Sequence, residues 1–118
     1  MEIKDPSGVP ATESSVEFHQ GMVDRMGVSF YKYGRVSEGY PSRVDAIESL
    51  KLRLLKYEQT GNTEFLMDVA NFAMIEFMHP KHHKAHFKPT DSKDSPGRRW
   101  NGEVNPLQLH NDIRKHTR

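Results

Sequence analysis

The chain has 118 residues, no cysteine, and 17 basic against 16 acidic residues for a formal charge of +1. Disulfides and thiolate zinc sites are therefore excluded, and nucleic-acid binding driven by bulk charge is not expected. Hydrophobic residues make up 35% of the chain, and a mean hydropathy of −0.79 implies a thin core, for which oligomerisation is the natural remedy.

In chain order, residues 1–11 are polar and carry Pro6, Gly8 and Pro10, which reads as a flexible N-terminus without a signal-peptide core. No apolar run is long enough to span a membrane, so a cytoplasmic protein is expected. A helical core follows over 12–78. Its first helix is predicted over 14–32, with Ser14 and Glu17 as a capping box and Val16, Val23, Met26 and Phe30 as the apolar stripe. Gly34 ends it. Glu13, Glu17, Gln20 and Asp24 form a polar face that suits solvent.

The second helix is predicted over 43–59, started by Pro41-Ser42, with Val44, Ile47, Leu50, Leu54 and Tyr57 as its stripe. Leu52 and Leu55 lie off that stripe, so a second covered face is expected. Gly61-Asn62 is a very short turn, which makes the third helix, 64–78, the antiparallel neighbour of the second. The predicted fold is all-α: two long antiparallel helices plus an N-terminal helix, completed by oligomerisation. Residues 79–118 form a basic tail with Pro80, Pro89, Pro96 and Pro106, anchored by Trp100, with a short helix over 107–113 and a frayed end.

Helix 64–78 is apolar nearly all round, yet Glu64, Asp68 and Asn71 share one face at i, i+4 and i+7. Buried carboxylates need a partner. Glu64 sits in the first helical turn, where a negative charge is favoured, and Asp45 is placed to cap the helix before it. Asp68 and Asn71 lie too far in for capping. Their partner is either a metal or ligand, or a cation of the neighbouring helix at matching height, Arg53 or Lys56. Asp45 and Glu48 on that helix complete a carboxylate cluster. With 1.5 Å rise per residue, Glu48 and Asp68 are offset by roughly 9 Å along the axis, a gap that hydrated Mg²⁺ can partly bridge.

Two further groups carry chemistry. His79, His82, His83 and His86 have zinc-like spacing only if helical, and Pro80 with the flanking lysines favours a solvated basic turn. Tyr31, Lys32, Tyr33, Arg35, Tyr40 and Arg43 combine aromatic faces with cations, a set suited to a nucleotide and its phosphates. Cations also gather at helix C-termini for the macrodipole alone, and that reading is the simpler one.

Glu64 to Phe77, with the preceding Asp45 to Tyr57, resembles the core helix pair of MazG-like all-α nucleoside triphosphate pyrophosphohydrolases. Asp68-Val-Ala-Asn71-Phe72, Lys32-Tyr-Gly34 before the pair and His79-Pro80 after it are similar to small phage-encoded relatives. The resemblance spans about 70 residues. It implies Mg²⁺ held by Asp45, Glu48, Glu64 and Asp68, with Glu48 and Asp68 catalytic. Lys32, Arg35, Arg53, Lys56 and Asn71 would then contact the nucleotide, and pyrophosphate would be released. The family's first motif has adjacent acidic residues and its second has two intervening residues. Here the first pair is separated and the second has three. The alternative is an inactive oligomeric binding or assembly protein whose tail docks on a host or viral partner, in the host cytoplasm if phage-encoded.

Overall fold

The structure, a computed structural model, describes residues 8–91 and 97. These are all-α. A 3₁₀ turn over Ala11–Glu13 leads into α1 (Val16–Tyr33), the single-turn α2 (Val36–Gly39), α3 (Ala46–Thr60) and α4 (Glu64–Met78). The chain divides by its contacts between Ala85 and His86. The first seven residues of the expected tail thus belong with the helices. Trp100, the 107–113 helix and the frayed end lie outside the described residues. No described helix is long and apolar enough to cross a membrane.

Local chemistry sets each boundary. α1 is capped by Ser15, whose Oγ accepts from Phe18 N–H at 3.0 Å. This replaces the expected Ser14–Glu17 capping box, and the helix begins correspondingly later. Gly34 ends α1 at φ 86°, its N–H donating to Phe30 O. α3 begins at Ala46 rather than at residue 43, because Asp45 is itself the N-cap and accepts from Glu48 N–H at 3.0 Å. Gly61 takes the left-handed conformation, φ 73°, that closes α3, and Asn62 Oδ1 then accepts from Glu64 N–H to open α4. The tight turn makes α3 and α4 an antiparallel hairpin, as expected.

α4 stands between α1 and α3, packing most extensively on α3 and over a smaller area on α1. The face of α1 turned inward holds Phe18, Gly21, Met22, Arg25, Met26 and Ser29, at helical spacing. Only Met26 of the expected stripe belongs to it. Val16, Val23 and Phe30 point away and are more than half exposed. The reason is space: a Cβ on Gly21 would lie 2.4 Å from Met67 Sδ, so glycine is what lets α1 approach α4 here. Within the single chain, Leu52 and Leu55 are exposed as well. Among the described residues just three side chains are fully buried: Ala46, Ile75 and the amide of Asn71.

The open end of the hairpin is fastened by the residues after α4. Lys81 N–H donates to Glu76 Oε2 at 2.8 Å, and Lys81 Nζ pairs with Asp45 Oδ2. The Lys81 ammonium, helped by Glu48 N–H, holds the Asp45 carboxyl below its ordinary value, and Asp45 in turn raises Lys81. A lowered carboxylate contributes stability above its unfolded value, about 3.9, and loses it as pH falls through the folded value. A raised lysine contributes below about 10.5 and loses it as pH rises further. The difference in thermal midpoint between wild type and Lys81→Met should therefore stay constant from about pH 5 to 9 and shrink in stronger acid. A gap unchanged in strong acid would show that Lys81 acts through something other than Asp45.

Candidate functional site

The C-terminal half of α1, the α2 turn and the facing sides of α3 and α4 enclose a cleft of about 760 Å³. Its volume lies in the range of small-molecule sites. Among the described residues, Arg25, Lys32, Arg35, Arg43 and Arg53 line it against a single carboxylate, Asp68. Tyr33, Tyr40 and Phe72 supply aromatic surface, and Asn71 and Ile75 of α4 complete the wall.

Asp68 organises the cationic side. Arg53 Nε donates to its Oδ2 at 3.2 Å, and Arg25 Nε lies 4.0 Å from its Oδ1. Arg25 also reaches Glu64 Oε2 at 2.7 Å and donates to Gly21 O at 3.1 Å. The Arg53 guanidinium lies over the Phe72 ring, 5.6 Å from its centroid. Phe72 in turn meets Tyr40 with centroids 6.4 Å apart. Burial lifts the Tyr40 phenol above its usual value, and Arg53 beside it partly offsets this. An arginine held on one edge by a carboxylate still has N–H groups on its other edges for a second anion.

The sequence-predicted residues divide accordingly. Lys32, Arg35, Arg53, Asp68 and Asn71 come together in the cleft, joined by Tyr33, Tyr40 and Arg43 of the aromatic and basic set. Lys56 is exposed and takes no part in the Asp68 pairing. The four carboxylates do not form one cluster. Asp45 pairs with Lys81, Glu48 with Lys51 at 3.1 Å, Glu64 with Arg25, and Asp68 with Arg53 and Arg25. Among the described residues no three His, Asp or Glu side chains gather in a way that could hold a metal ion, and the His79–His86 run makes no exception. Of these four carboxylates, Asp68 is the one that lines the cleft.

Sequence reasoning missed Arg25. It lies within α1, 39 and 43 positions before its two partners Glu64 and Asp68. Its signal was available: Gly21 and Arg25 share a face at i and i+4, which places the cation where the helix comes closest to α4. The Asn71 amide was singled out, but not its partner. Asn71 Nδ2 donates to Met22 O at 3.0 Å and ties α4 to α1. Comparisons of the chain with protein-family models, with curated proteins and with solved structures find no match.

Proposed function

We propose that this protein binds a nucleotide, or an equally polyanionic aromatic metabolite, in the α1–α4 cleft through arginines rather than through a metal. The observation that carries this reading is the convergence of five cations on one cleft in a chain whose overall charge is only +1. Such a concentration is not needed to end helix α1, because Arg43 and Arg53 come from beyond it. Tyr40 and Phe72 offer apolar ring surface for a base, and the guanidinium forks suit phosphate oxygens. Calorimetric titration with the four ribonucleoside triphosphates should give saturable binding that weakens as salt is raised. Absence of binding for all four at low salt would sink the reading.

The MazG-like reading, a Mg²⁺-dependent pyrophosphohydrolase, draws support from Asp68, the one acidic residue in the cleft. An assembly role draws support from a different feature. Val16, Val23 and Phe30 form an exposed apolar stripe at seven-residue spacing, 62%, 63% and 52% exposed. Light scattering should then give a multiple of the 13.6 kDa chain mass. The mass of a single chain at micromolar concentration would count against assembly.

A further inference from the structure

The charges of the cleft are unevenly balanced. On its α4 side Arg25 and Arg53 are matched by carboxylates. Arg25 meets Glu64 at 2.7 Å and lies 4.0 Å from Asp68, which accepts from Arg53 at 3.2 Å. That side is close to neutral. Lys32, Arg35 and Arg43 also line the cleft, and among the described residues none of these three side chains forms an ion pair. They come from one continuous stretch. Lys32 is in the last turn of α1, Arg35 is the N-cap residue of α2, and Arg43 N–H donates to Gly39 O at 2.9 Å where the chain turns back from α2. The α1 macrodipole accounts for Lys32, but Arg35 and Arg43 lie beyond that helix. Glu38, the acid of α2, is turned to the Arg35 backbone N–H at 3.3 Å and does not line the cleft. The rings link the two sides: Arg53 lies over Phe72, Phe72 meets Tyr40, and Tyr40 N–H closes α2 on Val36 O.

We infer that the α2 end of the cleft, formed by Lys32, Arg35 and Arg43, is the subsite for a phosphate chain, and that affinity rises with the number of phosphates. The inference rests on the nucleotide-binding reading and adds the direction in which the ligand lies, its ring on Tyr40 and Phe72 and its phosphates toward α2. An unpaired cation attracts an anion without a carboxylate opposing it, so this end gains more from each added phosphate than the Arg25 and Arg53 side does. A chain of phosphates also reaches several cations at once, which a single phosphate does not.

The test is calorimetric titration at low salt, in EDTA, with the four ribonucleoside triphosphates, their monophosphates and tripolyphosphate. Wild type should hold the preferred triphosphate at least about ten-fold more tightly than its monophosphate, and the ratio should shrink as salt is raised. Arg35→Gln and Arg43→Gln should each lower that ratio about three-fold and weaken tripolyphosphate as well. Both residues are exposed, so the fold does not depend on them. Lys51→Gln removes the same charge from an exposed residue that pairs with Glu48 outside the cleft, and it should leave the ratio unchanged. Equal affinity for triphosphate and monophosphate overturns the subsite while the nucleotide reading stands. So does a ratio that survives in both arginine variants, or that falls as far in Lys51→Gln. Tripolyphosphate binding that the arginine variants weaken, with no nucleotide bound, keeps the subsite and overturns the nucleotide reading. If no phosphate compound binds, both fall.

Discussion

Ile75→Ala is expected to lower the unfolding free energy by about 2–5 kcal/mol, the cost of deleting most of a buried aliphatic side chain and leaving a cavity. Ile75 is 4% exposed and is, with Ala46, one of two fully buried apolar side chains among the described residues. A small domain holds roughly 5–15 kcal/mol in total, so this one truncation removes a large share. Ile75 lies one turn beyond the Asn71 amide that ties α4 to α1, on the same face of α4. Urea unfolding followed by circular dichroism should show a much lower midpoint. An effect below about 1 kcal/mol, the range of surface substitutions, would mean that the helices are held by some other core.

The second large effect concerns Asp68. Asp68→Asn removes one negative charge from beside Arg53 and Arg25 while keeping the side chain's size. Stability should fall by about 1–2 kcal/mol. This is less than for a fully buried pair, because Asp68 and Arg53 retain 27% and 42% side-chain exposure. Anion affinity should move the other way. The arginines lose a competitor, and a unit charge roughly 8–16 Å away at an effective dielectric near 20 is worth about 1–2 kcal/mol, or roughly five- to thirty-fold tighter binding of a triphosphate. If Asp68 instead holds a metal for the phosphates, the same variant binds more weakly and loses any Mg²⁺ dependence. The sign of the change separates the two roles.

Much of the fold was legible because its signals are local. The limits of α4, the Gly61 turn and the hairpin follow from periodicity and one left-handed glycine. The Arg53–Asp68 pair follows from counting residues back from that turn, one of the two cations at the right height. The single-turn α2 was not legible, since four residues carry no periodicity. The register of α1 was misread because Val16, Val23 and Phe30 outweigh Met22 on hydropathy. Packing instead obeys the close approach that Gly21 permits.

The site was legible in its parts. Lys32, Arg35, Tyr40 and Arg43 stand out as a basic and aromatic group, and Asp68 and Asn71 as polar residues on an apolar helix. That both belong to one cleft depends on the path of the chain through α2. A local reading of residues 34–45 cannot supply that path.

The claim that arginines, not a carboxylate-bound metal, hold the ligand is tested most directly by titrating the preferred nucleoside triphosphate in excess EDTA and again in excess Mg²⁺. Saturable binding in EDTA, at least as tight as in Mg²⁺, is the predicted result. Binding that appears only when Mg²⁺ is added would contradict it.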